Sequence, residues 1–170
     1  MKLKENLVFL GMMGAGKSSI GSIVSKKLDI DFIDIDKEIE NKLGMKISKI
    51  FIDKGEKYFR EIEENFTLKI LKRSNIVISI GGGAFLNSKV KKEILDNHIS
   101  FWLNWDIKTL INRIKGSQKR PVAFDASKNE LIELIKKRSI VYSKAMYKID
   151  CENLTKNEIV KDILKIYETH

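Results

Sequence analysis

The sequence is poor in the residues that staple, bend or ligate. It has a single cysteine, Cys151, so no disulfide can form within the chain, which suits a reducing, cytoplasmic location. Cys151 ends a short apolar stretch and reads as a small apolar residue. The two histidines, His98 and His170, are too isolated to suggest a metal site. No apolar run approaches the roughly 18 to 20 residues that a membrane-spanning helix needs. The N-terminus superficially mimics a signal peptide, with Lys2 and Lys4 before the apolar stretch Leu7 to Ala15, but a glycine-rich motif occupies the region where cleavage would fall. Acidic residues are the minority, 23 Asp and Glu against 32 Lys and Arg, for a net charge of +9. That excess suits anionic ligands, nucleic acid among them. Yet the lysines are spread along the chain. The densest group, Lys89, Lys91 and Lys92, falls on a predicted amphipathic helix and reads as a solvated face. No module that reads RNA or DNA is recognisable. What remains is ordinary globular composition, 43% hydrophobic and 32% charged over 170 residues, enough for one domain with a sizeable core. There is no internal repeat and no low-complexity linker.

Against this background one stretch stands out. Leu7 to Leu10 is an apolar run of the size of a buried parallel strand. Gly11 to Ser18 then spells G-x-x-x-x-G-K-S, the phosphate-binding loop. Ile20, Ile23, Val24 and Leu28 follow at helical spacing, so the motif lies between a strand and an amphipathic helix. Its glycines let backbone N–H groups turn inward around phosphate oxygens, and the helix N-terminus adds partial positive charge. Lys17 brings a full charge to the outer phosphates, and the Ser18 hydroxyl can ligate Mg²⁺.

Strands are predicted at 31–35, 75–80, 99–103 and 147–151. Helical segments are predicted at 37–43, 46–53, from Gly55 onward (with Phe59, Ile62, Phe66 and Ile70 on one face) and at 87–97. Asp106 is placed to cap a further helix and Gly116 to end it. Ser127 to Glu130 and Thr155 to Glu158 are capping boxes that open the last two helices. Residues 116–126 are polar, hold the only proline, Pro121, and read as a mobile loop. Strands alternating with helices give an α/β fold, a parallel sheet covered on both faces. Ligands in such sheets gather at the carboxyl ends of the strands. The phosphate loop, Asp34 and Asp36, and Gly81 to Gly83 each follow a strand and are expected to line one crevice.

Asp34 can hold Mg²⁺ opposite Ser18. Asp36 can accept a hydrogen bond from a substrate hydroxyl and act as base, or cap the next helix. The five arginines, at 60, 73, 113, 120 and 138, are informative because the sequence otherwise uses lysine. An arginine in such a chain points to use of the planar fork on carboxylate or phosphate. Arg138 shares a helix face with Leu131, Ile135, Tyr142 and Ala145, so an inward guanidinium needs an anionic partner. Arg60 is either a ligand group or a surface ion pair with Glu56, Glu63 or Glu64. Arg120 suits a lid that closes on the transferring phosphate. Arg73 reads as a solvated helix end. Arg113 can stack on a nucleobase or lie on the surface. Gly81 to Gly83 allow close approach of a ligand or make a simple turn.

Taken in order, these motifs resemble shikimate kinase, a small P-loop kinase family related in fold to the nucleoside monophosphate kinases. The likeness rests on Gly11 to Ser18, on Asp34-Ile-Asp36, and on Phe51-Ile-Asp-Lys-Gly-Glu56-Lys-Tyr-Phe59-Arg60. It continues through Glu63, Gly81-Gly-Gly83, Arg120-Pro121 and Arg138, and so spans nearly the whole chain. Two departures are Arg138-Ser-Ile-Val-Tyr142, where the family often has R-x-P-L-Y, and Val122, where leucine usually follows R-P. The resemblance implies a three-layer P-loop kinase fold with a five-stranded parallel sheet of order 2-3-1-4-5, a substrate subdomain at about 35–62 and a lid at about 115–126. It implies ATP-dependent phosphorylation of the 3-hydroxyl of shikimate, in aromatic amino-acid biosynthesis, by a monomer that uses Mg²⁺ and binds neither nucleic acid nor membrane. The implied ATP site is Gly14, Ala15, Gly16, Lys17, Ser18, Ser19, Arg113 and Arg120, and the implied metal ligands are Ser18 and Asp34. The implied shikimate site is Asp36, Arg60, Glu63, Gly82, Gly83 and Arg138, and Lys17, Asp36 and Arg120 carry the transfer.

Overall fold

Five short strands form one parallel sheet in the computed structural model, which describes residues 5–116 and 126–170. In chain order they are β1 (Leu7–Leu10), β2 (Asp31–Asp34), β3 (Ile76–Ser79), β4 (Ile99–Asn104) and β5 (Tyr147–Asp150). Their spatial order is β2-β3-β1-β4-β5, as the motifs imply. β1 lies at the centre, with Leu7 paired to Val77 on one side and Ile99 on the other. Such a strand is covered on both faces, which is why it reads as an unbroken apolar run and not as an alternation. Phe9 is fully buried and stacks on Phe101 at 5.5 Å, and a buried aromatic of this kind contributes about 1.5–3 kcal/mol. The edge strands β2 and β5 instead carry exposed Asp31, Lys148 and Asp150, charges that blunt a sheet edge.

The helices are α1 (Lys17–Leu28), α2 (Ile35–Leu43), α3 (Ile47–Leu71), α4 (Ser88–Asn97), α5 (Ile107–Lys115), α6 (Lys128–Tyr142) and α7 (Lys156–Thr169). Both predicted capping boxes are formed, Ser127 with Glu130 and Thr155 with Glu158. Asn87 caps α4 by accepting from the Lys89 and Val90 N–H groups. Asp106 occupies the N-cap position of α5 but makes no side-chain cap bond; its own N–H donates to Glu152 at 3.2 Å. Gly116 does end α5.

Local expectations are corrected at the β2–α2 boundary and at the buried face of α3. β2 stops at Asp34 and Ile35 already opens α2, because the Asp34 carboxylate accepts from Lys37 N–H at 3.2 Å and caps that helix. Asp36 is therefore not the cap; it lies in the first turn of α2. The two predicted helical segments are both present within α3, separated by a kink at Gly55, whose φ 83° and ψ 167° are not helical. That conformation suits glycine and resets the helical phase. Downstream, the buried stripe is Phe59, Glu63, Thr67 and Leu71, while Ile62, Phe66 and Ile70 are only partly buried. A glutamate thus takes a core-facing position. The 116–126 loop is described only at its ends, and Arg120, Pro121 and Val122 lie outside the described residues. Among the described residues no helix is long and apolar enough to cross a membrane.

Candidate active site

At the carboxyl end of β1 the chain turns through Gly11 (φ 140°), Gly14 (φ 83°) and Gly16 (φ 87°) into α1. A side chain at Gly11 would bring its Cβ to 2.9 Å from the Leu103 carbonyl oxygen, so close strand packing as well as conformation calls for glycine there. Lys17 Nζ arches back over the loop and donates to the Gly11 and Met12 carbonyls at 2.9 and 3.0 Å. This holds its charge at the loop mouth. Ser18 Oγ donates to the Asp34 carboxylate and lies 3.5 Å from Ser79 Oγ. The parallel pairing of β2 with β3 aligns Asp34 with Ser79 and so brings these groups together. A hydroxyl and a carboxylate meeting beside a phosphate loop are the hard oxygen donors that Mg²⁺ accepts, since that ion uses few protein ligands and keeps its remaining positions for water and phosphate.

Asp36, on the first turn of α2, and Glu63, on α3, converge on the same cavity. Burial, then the nearby Glu63 and Asp34 charges, pushes the Asp36 carboxyl up from 3.8 to about 7, against the opposing pull of Lys17 and Arg60. Its Oδ1 is enclosed and has no hydrogen-bond partner among the described residues. Glu63 is 2% exposed, and burial raises its carboxyl too. Arg60 limits that rise: its Nη1 donates to Glu63 Oε2 at 2.7 Å. The same guanidinium donates to Glu56 and lies over the Phe59 and Phe51 rings at 5.2 and 5.9 Å. Arg60 therefore makes ion pairs with Glu56 and Glu63 while lining the cavity. Arg138 is 5% exposed, and its Nε has no partner among the described residues. Its Nη1 lies 3.9 Å from Met12 Sδ, and the guanidinium also interacts with the Tyr142 hydroxyl and feels the Glu63 carboxylate. A buried guanidinium left short of acceptors is prepared for an anion.

The three glycines after β3 explain how these charges approach one another. A Cβ at Gly81 would fall 2.3 Å from Glu63 Oε1 and 3.0 Å from Asp36 Oδ1. At Gly82 it would fall 3.4 Å from Arg138 Nη1, and at Gly83 2.4 Å from Arg60 Nη1. The bare backbone at Gly81 and Gly83 is what leaves room for Glu63, Asp36 and Arg60, while Arg138 comes only to ordinary contact at Gly82. The resulting cavity, about 370 Å³, runs from Ser18 and Asp34 past Asp36 to Arg60, Glu63 and Arg138. A second hollow of about 300 Å³ shares Arg60, Glu63, Gly83 and Arg138 as walls.

Two aromatic residues at this site lie outside the set of site residues that the sequence implies. Tyr142 reads as part of an apolar stripe, but its hydroxyl donates to the Gly82 carbonyl one helical turn from Arg138. Its hydroxyl pKa is pushed up to about 12 by burial, so it stays a donor. Trp105, just after β4, donates its indole N–H to the Ala15 carbonyl at 2.9 Å. The Arg113 guanidinium lies 3.7 Å over that indole and donates to the Gly14 carbonyl at 3.2 Å. Arg113 thus flanks the phosphate loop. Arg73, by contrast, is far from the site and pairs with exposed Asp31 at 3.5 Å.

The sequence model of the shikimate kinase family matches residues 13–168. The chain belongs to the shikimate kinase family. Shikimate kinase from Persephonella marina is 37% identical over 160 residues, covering 94% of this chain and 97% of that protein. Shikimate kinase from Bacillus subtilis is 35% identical, covering 95% and 88%. Among solved structures, a shikimate kinase from Acinetobacter baumannii in complex with shikimate superposes with a TM-score of 0.92 at 27% identity, covering 99% of this chain and 95% of that one. A gluconokinase from Sinorhizobium meliloti, at TM-score 0.53 and 15% identity, shares the fold alone. The chain is therefore a P-loop, ATP-using enzyme whose phosphate loop and charged cavity adjoin through Ser18, Asp34 and Asp36.

Proposed function

We propose that this chain transfers the γ-phosphoryl group of ATP to the 3-hydroxyl of shikimate, giving shikimate 3-phosphate and ADP in aromatic amino-acid biosynthesis. One observation carries the reading beyond family membership. Two arginines and a raised carboxyl face a single cavity that opens onto the phosphate loop. A small hydroxylated acid needs that combination, a fork for its carboxylate and an acceptor for its hydroxyl proton.

In this reading Gly14 to Ser19 cradle the phosphates and Lys17 neutralises the charge that builds on the outer ones. Ser18 and Asp34 hold Mg²⁺, which supplies further charge neutralisation at the phosphates when bound. Arg60 and Arg138 clamp the substrate carboxylate, with Glu63 setting the Arg60 fork and Gly82 and Gly83 lying against the bound acid. Asp36 takes the hydroxyl proton. The hydroxyl oxygen forms its bond to the γ-phosphorus as the bridging P–O bond breaks, and that electron pair leaves on ADP. Arg113 contacts the nucleotide, and Arg120 acts from a lid over about 115–126. The whole chain, 1–170, is one domain with its substrate subdomain at about 35–62, working as a cytoplasmic monomer.

The test is ADP release from Mg·ATP in the presence of shikimate, gluconate or RNA. Release that depends on shikimate alone is expected. Stimulation by gluconate or by polynucleotide instead would overturn the reading.

A further inference from the structure

The phosphate loop is gripped from outside by two side chains, Trp105 and Arg113, of which only the arginine is implied by the sequence. The Ala15 carbonyl accepts from Trp105 Nε1 at 2.9 Å and the Gly14 carbonyl from Arg113 Nη1 at 3.2 Å. The two grips are coupled, since the guanidinium lies 3.7 Å over the indole ring. In a planar trans peptide the carbonyl and the following N–H point in opposite directions. Holding the Ala15 carbonyl against the indole therefore aims the Gly16 N–H the other way. A donor on the carbonyl also polarises the peptide and strengthens that N–H as a donor. The indole occupies one face of the Arg113 plane, which leaves the other face for a flat aromatic partner.

We propose that Trp105 is a positioning residue for the nucleotide. It fixes the Ala15–Gly16 peptide of the phosphate loop and backs Arg113, so that the guanidinium meets the purine base already oriented. The inference rests on the kinase reading above, and adds to it a residue that touches neither substrate.

Trp105→Phe removes the N–H donor but keeps a ring beneath Arg113. Trp105→Ala removes both. Calorimetric titration of a non-hydrolysable ATP analogue with Mg²⁺, and separately of shikimate, reads the difference. Loss of one neutral hydrogen bond predicts analogue binding weaker by about threefold to tenfold in Trp105→Phe. Loss of the cation–π contact weakens it by about threefold or more again in Trp105→Ala. Shikimate affinity stays within about twofold in both, and KM for ATP rises more than kcat falls. Unchanged analogue affinity in both variants would overturn the proposal. So would equal weakening of analogue and shikimate together with a lowered unfolding temperature, the mark of a merely structural tryptophan. Wild-type protein that fails to bind the analogue at all would instead refute the kinase reading, and this inference with it.

Discussion

Gly83 offers the sharpest test of how the acid site is built. Its backbone, φ −97° and ψ −15°, is open to any residue, so alanine introduces no conformational strain there. The added Cβ would lie 2.4 Å from Arg60 Nη1, 2.6 Å from Cζ and 2.8 Å from Nη2. Non-bonded heavy atoms rest near 3.5 Å, so the guanidinium must withdraw by about 1 Å. It has somewhere to go, because its side chain is 29% exposed and Glu56 already holds it on the solvent side. The change therefore removes Arg60 from the cavity without touching the phosphate loop. One charge-assisted hydrogen bond to a carboxylate contributes about 1.5–3 kcal/mol, so shikimate should bind about tenfold to a hundredfold more weakly. Calorimetry should find the ATP analogue within about twofold of wild type. Because the substitution acts through Arg60, its effect should nearly vanish in an Arg60→Ala background. A folded Gly83→Ala protein with unchanged shikimate affinity, or full additivity in the double variant, would refute the reasoning.

Other outcomes follow from the same geometry. Lys17→Ala should abolish transfer in a folded protein, and near-normal turnover would contradict the phosphate-loop assignment. Arg138→Lys keeps the charge and loses the fork, so shikimate should bind about tenfold or more weakly while ATP binding without acid is unaffected; equal loss of both would make Arg138 a structural cation. In metal-free and nucleotide-free protein the Asp36 carboxyl rises from 3.8 to about 7, so across that window the folded state holds the proton that the unfolded state has lost. The stabilisation is full below the lower value and is lost as pH rises through the upper one. Glu63, also raised, adds a slope of the same sign. His98, lowered by burial, contributes a slope of the opposite sign, so the test is the difference between proteins: from pH 4 to 7.5 the unfolding temperature of wild type should drop relative to that of Asp36→Asn, and parallel profiles would show that Asp36 is not raised.

The phosphate loop and the order of elements were legible because each rests on local rules: a glycine-rich turn between a strand and a helix, apolar runs of strand length, and two capping boxes that form as written. The inward setting of Arg138 was legible from helical spacing alone. The phase of α3 was not. Gly55 can be seen as a breaker, but the angle at which the helix resumes is set by packing, and only that angle buries Glu63 in place of Ile62. The reason for three successive glycines was also out of reach. It depends on Glu63 and Arg60 arriving from α3, about twenty residues away along the chain, and on the Met13 backbone approaching Gly82. Trp105 and Tyr142 escaped for a related cause. An aromatic beside a strand or on an apolar stripe satisfies the core pattern, and the partners of its polar atom are carbonyls on the far-off Ala15 and Gly82.

The central claim is that a phosphoryl group moves from ATP to one hydroxyl of shikimate. Its most direct measurement is nuclear magnetic resonance of the reaction mixture after incubation of the purified protein with Mg·ATP and shikimate. The account predicts ADP and a single new phosphate ester in equal amounts, with phosphorus coupled to the proton on carbon 3. ADP formed with free phosphate and unmodified shikimate, or an ester on another hydroxyl, would contradict it.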